Sequence, residues 1–195
     1  MNIGRPLEFD PNQALEAAMQ LFWRNGYESS SLQQLITSMQ LSKSSFYQTF
    51  KSKHTLFQNC IKHYELTLIK GLKEKLDKSK NGLDFIRGVF DEVTTECADD
   101  DSRKGCLLMN TASEFAQHDP KIAKLVSQSL DHFLQIFLNA IKDGQQAGTI
   151  DSTKDPVILA RYLMSSMSGI KNMVKAGADA HEIRQINSIV LSNLN

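Results

Sequence analysis

The chain has 195 residues, 41% hydrophobic and 23% charged, with a formal net charge of +0 at pH 7. That length and apolar content suffice for one large domain or two packed ones, and the zero net charge excludes a generic polyanion binder. No apolar run reaches the ~20 residues needed to cross a bilayer, and no apolar stretch of a secretory signal appears between Met1 and Asp10, so no membrane partner is expected and a cytoplasmic protein is.

In chain order, the punctuation is helical. Asp10-Pro11, Asp119-Pro120 and Asp155-Pro156 each place an N-capping aspartate before a proline suited to the first helical position. The first helix is predicted over 11–25, with Ala14, Ala18, Leu21 and Phe22 as its apolar stripe and Gly26 as terminator. The second starts after Ser31 and carries Leu32, Leu35, Ile36 and Met39, with Gln34 placed for a reciprocal capping box. The third starts after Ser42 and ends near Phe50. Ser52 then caps a long fourth helix over about 53–76. Later helices are predicted over 83–98, 106–117, 120–147, 156–176 and 180–194, with 78–82 and 99–105 as loops. No segment alternates with period two, so the fold class is all-α. The expected division is a three-helix headpiece over 1–53, including an arm over 1–10, and a larger helical body over 54–195.

The informative stretch lies between Ser29 and Tyr64, which contains no acid but holds Lys43, Lys51, Lys53 and Lys62. Inside it, two short helices are separated only by Gln40, Leu41 and Ser42, a gap that forces a sharp crossing. Leu35, Ile36, Met39, Leu41, Phe46 and Phe50 supply the buried side. Lys43, Ser44, Ser45, Tyr47, Gln48 and Thr49 remain outward, with Gln33 on the preceding helix. A face of hydrogen-bonding groups without a carboxylate suits phosphate oxygens and base edges. Its length, roughly 10 Å, fits a major groove ~12 Å wide. Lys43 is placed for a guanine edge or a phosphate, Gln48 for adenine, and Tyr47 and Thr49 for phosphates. Lys53, at a helix N-terminus, is a phosphate-clamp candidate. Arg5 is a candidate arm residue for the minor groove; an exposed terminus is the alternative.

The chain resembles the TetR family of regulators through Ala18, Leu21-Phe22, Gly26-Tyr27, Ser31, Leu35-Ile36, Leu41-Ser42-Lys43, Phe46-Tyr47, Phe50, Ser52-Lys53 and Leu56-Phe57, over about the first 60 residues. The resemblance implies a DNA-binding headpiece, a ligand-binding body of about six helices and a homodimer. Lys104-Gly105-Cys106-Leu107-Leu108-Met109-Asn110, followed by His118-Asp119-Pro120, is similar to one subgroup whose sixth helix begins Gly-Cys-Leu. Two positions depart from the family pattern: Gln40 stands where the turn usually has glycine, and Thr49 where histidine is frequent. The first demands a less favourable backbone or a slightly different turn; the second bears on the operator sequence.

The last two predicted helices carry more apolar surface than one core-facing stripe needs. By the resemblance they pair with their copies in a dimer, through Tyr162, Met167, Ile170, Met173, Ile183, Ile186 and Val190; the alternative is that such residues face the chain's own core. A small-molecule effector pocket is expected among Tyr64, Phe90, Val93, Thr94, Cys97, Met109, Ser113, Phe133, Phe137, Met164 and Met167, where aromatic and methionine side chains make adaptable walls. Ordinary core packing is the competing role for each.

Cys60, Cys97 and Cys106 form no paired-cysteine motif, and an odd count suits a reducing compartment. Cys106, at a helix start beside Arg103 and Lys104, is a candidate sensor thiol; an inert cysteine is the alternative. Cys60 and His63 lie one turn apart without a second pair, so no metal or cofactor is expected. The reading is therefore a ligand-responsive repressor of a palindromic operator. Its rivals are a thiol-sensing regulator and a Cys106-dependent enzyme, which needs a histidine beside the thiol. No G-x-S-x-G, P-loop or HExxH motif supports an enzyme.

Overall fold

A computed structural model describes residues 9–115 and 117–195, and of Asp100 the backbone alone. Arg5 and its arm lie outside the described residues. The described residues form an all-α fold of nine helices: α1 (Pro11–Asn25), α2 (Leu32–Ser38), α3 (Lys43–Phe50), α4 (Lys53–Lys78), α5 (Gly82–Thr95), α6 (Leu107–Phe115), α7 (Pro120–Gln146), α8 (Pro156–Lys175) and α9 (Ala180–Ser192). Asp10, Asp119 and Asp155 each accept N–H bonds from the first turn that follows, as side-chain caps ahead of a proline should.

The departures from expectation lie at ends. α5 stops at Thr95 and tightens into a 3-10 turn over Glu96–Ala98, where a continuous helix to 98 is predicted. Within the predicted loop over 99–105, Asp100–Ser102 forms a second 3-10 turn. The Asp99 carboxylate accepts there from the Asp101 N–H and the Ser102 hydroxyl, each at 3.2 Å. Such tightening is frequent at helix ends.

The chain divides into two compact units, 1–65 and 66–195, so the division falls inside α4 and not at its start. The reason lies in packing. Leu56, Phe57, Cys60, Ile61 and Tyr64, on the first half of α4, are all buried. Phe57 meets Phe22 edge-on at 4.9 Å, and Tyr64 meets Trp23 edge-on at 5.0 Å. Glu16 on α1 accepts from Gln20 at 2.8 Å and pairs with His63 on α4 at 2.9 Å. The rest of this core comes from Ala14, Ala18, Leu35, Ile36, Phe46 and Phe50. A three-helix piece without those α4 side chains would leave Phe22 open to water, at about 1.5–3 kcal/mol for so large a side chain.

In the second unit α7 packs against α5, α6 and α8, and α9 packs against α5 and α8. Gly82 lets the start of α5 touch α7, and its N–H donates to the Asp143 carboxylate at 2.7 Å. Further along, Phe85 and Phe137 rings sit 6.1 Å apart.

Candidate nucleic-acid interface

The α2–α3 segment is built from its caps inward. Ser31 accepts from the Gln34 N–H at 3.2 Å while the Gln34 side chain accepts from the Ser31 N–H at 2.8 Å, a complete capping box. The end of α2 is equally defined. Gln40 donates to the Thr37 carbonyl at 3.1 Å, and Leu41 to the Ile36 carbonyl at 3.0 Å. This is the double bond pattern of a glycine-type helix stop, made here with Gln40 at φ 54. A side chain in that left-handed region costs about 1 kcal/mol or more. Gln40 thus makes the stop that glycine usually makes.

Ser42 caps α3 through the Ser45 N–H at 3.0 Å and also exchanges a hydroxyl bond with Ser45 at 2.8 Å. Phe46 and Phe50 are buried beneath α3. Lys43, Ser44, Tyr47 and Gln48 are exposed above it, and Thr49 is half-buried. Tyr47 is 46% exposed, a large ring left in water on an otherwise polar face. Ser45 is half-buried, its hydroxyl engaged with the cap. Gln33 is exposed on α2, its amide 3.5 Å from the Thr37 hydroxyl.

Lys51 closes α3 at φ 66, ψ −44, and the Ser52 N–H reaches the Phe50 carbonyl across it at 2.7 Å. This is the strained hand of the γ-turn. Ser52 then accepts from the Thr55 N–H at 3.0 Å and starts α4. Lys53, on the first turn, places its ammonium 4.2 Å from the centre of the Tyr27 ring. That ring in turn stacks on Phe22 at 5.8 Å and leans on Phe57 at 5.0 Å. Sequence reasoning assigned Lys53 a phosphate and left Tyr27 without a role, because a separation of 26 positions gives no local sign that the two meet.

The residues expected around an effector do not all fall together. Phe90, Val93, Cys97, Phe133 and Phe137 are buried in the second unit, and Thr94, Met109, Met164 and Met167 are half-buried. Two are corrections. Tyr64 belongs to the core of the first unit, against Trp23. Ser113 is exposed and donates back to the Met109 carbonyl at 3.1 Å, on its own helix. Sequence reasoning missed Asn187, 2% exposed on α9, whose amide donates to the Phe90 carbonyl at 2.8 Å.

The expected dimer residues also separate. Ile170, Ile183 and Val190 are buried in the chain's own core, a correction, while Tyr162, Met167, Met173 and Ile186 are half-buried. The apolar side chains left exposed on α8 and α9 are Val157, Ile158 at 62% and Ile189 at 66%. Helical stripes show that two faces are apolar but not which one the chain itself covers.

The three cysteines form no disulfide. Burial, with Glu16 adding, pushes the Cys60 thiol up, away from thiolate. Cys106 is half-buried just ahead of α6, and its carbonyl accepts from the Asn110 N–H at 2.9 Å. The loop before it is held by Arg103, which donates to the carbonyls of Cys97 at 2.6 Å, Val174 at 3.2 Å and Ala178 at 3.0 Å. Among the described residues no three His, Cys, Asp or Glu side chains are grouped to hold a metal ion, and no helix is long and apolar enough to cross a membrane.

Two capped helices joined by the four residues 39–42, of which Gln40 takes the left-handed conformation, with a carboxylate-free exposed face on the second, define a helix-turn-helix DNA-binding protein. Comparison with known proteins gives the family. Residues 14–60 match the model of the bacterial regulatory proteins of the tetR family, and residues 82–189, more than half of the chain, match the tetracyclin repressor-like C-terminal domain. The chain belongs to the TetR family of transcriptional regulators, a regulatory and not a catalytic family. It is 28% identical over 193 residues to the HTH-type transcriptional regulator YezE of Bacillus subtilis (strain 168), covering 98% of this chain and 100% of that one. It is 26% identical over 187 residues to the HTH-type transcriptional repressor ComR of Escherichia coli (strain K12), covering 94% and 88%. The fold is shared with a cysteine mutant of the TetR family regulator CifR complexed with 26-bp operator DNA, at TM-score 0.84 and 22% identity over 98% of this chain and 100% of that one. It is shared equally with the reduced form of E. coli NemR, at TM-score 0.85 and 17% identity over 94% and 95%.

Proposed function

We propose that the chain is a homodimeric, ligand-responsive repressor, released from a palindromic operator by a small apolar or amphipathic effector. The observation that carries this reading is the α3 face: Lys43, Ser44, Tyr47 and Gln48 exposed, Phe46 and Phe50 buried, and no acid between Ser29 and Tyr64. Lys43 serves a guanine edge or phosphate, Gln48 an adenine, and Tyr47, Thr49 and Gln33 the backbone. Two such helices, about 34 Å apart or a multiple of that, read two half-sites. The repressors and operator complexes among similar proteins support this direction.

The dimer uses the exposed strip of α8 and α9 marked by Ile158 and Ile189, with Tyr162 and Ile186 half-buried beside it. The effector takes the aromatic and methionine region of the second unit: Phe90, Val93, Phe133 and Phe137, with Met109, Met164 and Met167. A ligand that favours the wrong half-site spacing weakens DNA binding by a coupling of about 1–3 kcal/mol, and DNA weakens the ligand equally. Gly105-Cys106-Leu107 at the start of α6 supports the Gly-Cys-Leu subgroup.

A second reading is that Cys106 supplies the signal. It is the least buried of the three cysteines and stands just ahead of the N-terminus of α6. One similar solved structure is a cysteine mutant and another is a reduced form.

The test is selection of genomic fragments bound by the purified protein, followed by a compound screen for release. A two-fold related motif, lost with Lys43→Ala, is the expected result. Equal affinity for all duplexes at moderate salt would defeat the reading. Release by electrophiles that disappears in Cys106→Ser would move the choice to the thiol.

A further inference from the structure

Lys53 is a cation at the wrong end of a helix. The N-terminus of α4 carries the positive end of the macrodipole, which disfavours an ammonium. The first turn of α4 holds no acid to offset it. Lys51 lies two residues back and Lys43 opens α3. A local conflict of this kind, kept in an otherwise well-capped segment, marks a position held for a partner. The compensating contact in the unbound chain is the face of Tyr27, 4.2 Å from the ammonium.

The ring itself cannot wander. Tyr27 is stacked on Phe22 at 5.8 Å and tilted against Phe57 at 5.0 Å, while Phe22 and Phe57 meet at 4.9 Å and are both buried. Three aromatic side chains from α1, the turn after it and α4 thus form a fixed platform. A lysine has rotamer freedom to lose when its head is fixed. An ammonium already resting over a ring has lost part of it before any anion arrives. Both groups are half-buried, so the cation keeps an open side.

We propose that Tyr27 is a positioning residue for DNA binding: its ring parks the Lys53 ammonium at the start of α4, preset to receive a backbone phosphate of the duplex. The proposal rests on the operator reading above. It adds a residue that touches no DNA, and it predicts energetic coupling between two side chains 26 residues apart in the sequence.

The experiment is a double-mutant cycle on affinity for a mixed-sequence duplex at about 50 mM and about 200 mM salt, a range over which phosphate contacts dominate. The variants are Tyr27→Leu, Tyr27→Phe, Lys53→Met and the doubles, with helix content checked by circular dichroism. Lys53→Met should flatten the salt slope by about one contact. Tyr27→Leu should weaken binding about five-fold with Lys53 present, the scale of a half-exposed cation–π contact. It should weaken binding less than about two-fold when position 53 is methionine. Tyr27→Phe keeps the ring and should stay within about two-fold of the parent. Equal losses from Tyr27→Leu in both backgrounds would assign Tyr27 to packing alone and overturn the proposal.

A measurement on the parent chain serves if Tyr27→Leu does not fold. The Lys53 side-chain protons next to the ammonium should be shifted upfield by the ring in the free protein and in Tyr27→Phe. Ordinary lysine shifts there would overturn the proposal. A parent chain that binds no duplex at low salt, yet shows the ring shift, would refute the operator reading and this role with it. Duplex binding without coupling would refute this role alone.

Discussion

The same substitution, glycine to alanine, should have opposite effects at two sites. At Gly82 a Cβ would lie 1.7 Å from the Ala140 carbonyl oxygen, 2.6 Å from its carbon and 3.0 Å from the Gly144 nitrogen. These are backbone atoms of α7 and cannot rotate away. α5 must move off α7, and the 2.7 Å bond from the Gly82 N–H to the Asp143 carboxylate is lost with it. Overpacking costs about 1–3 kcal/mol, and a hydrogen bond to a charged group contributes about 1.5–3 kcal/mol. Together Gly82→Ala should destabilise by about 3–5 kcal/mol, a large part of the about 5–15 kcal/mol a protein has. Gly71, within α4, has nothing within 4 Å of the same position. There alanine only improves helix propensity and should stabilise by about 0.5–1 kcal/mol. At about 2–4 °C per kcal/mol for a chain this size, Gly82→Ala should melt about 6–20 °C lower and Gly71→Ala a few degrees higher. The assay is thermal unfolding by circular dichroism at one fixed protomer concentration, because the proposed dimer would make the midpoint concentration-dependent. A Gly82→Ala midpoint within about 2 °C of the parent would refute the close-contact argument.

Other outcomes follow from the same kind of reasoning. Gln40→Gly should raise stability by about 0.5–1 kcal/mol in denaturant titration, by relieving the left-handed φ of 54 while keeping both stop bonds. Thiol alkylation read by mass spectrometry should label Cys106 first and Cys60 only on unfolding, since burial and Glu16 keep the Cys60 thiol protonated. Arg103→Met removes a donor from three carbonyls and should cost about 2 kcal/mol or more; it should also speed alkylation of Cys97. Backbone N–H bonds from Glu182 and His181 hold the Asp179 carboxyl below its usual range. A depressed carboxyl contributes stability above its unfolded pKa and loses it as pH falls through the folded one. Asp179→Asn should therefore lower stability at neutral pH, change it little at low pH, and so flatten the acid limb of the stability profile.

The family and its DNA-reading segment were legible because helix caps and short turns are local. Asp-Pro pairs, Ser31 with Gln34, and Ser42 act within one turn of chain, so residue order alone reports them. The outward set on α3 followed from its period once Phe46 and Phe50 were assigned inward. The end of α5 was less legible, since a 3-10 tightening over Glu96–Ala98 changes no apolar spacing.

By itself the amino-acid order determined the helices, their starts and the carboxylate-free face of α3, because those depend on neighbours a few residues away. Only tertiary structure decided which apolar stripe became core. Ile170, Ile183 and Val190 went inward, Ile158 and Ile189 stayed outside, and Tyr64 joined the first unit. It alone also brought Lys53 over Tyr27 and Arg103 onto the end of α8. A helix with two apolar faces is symmetric to its own periodicity, and docking against other helices breaks that symmetry.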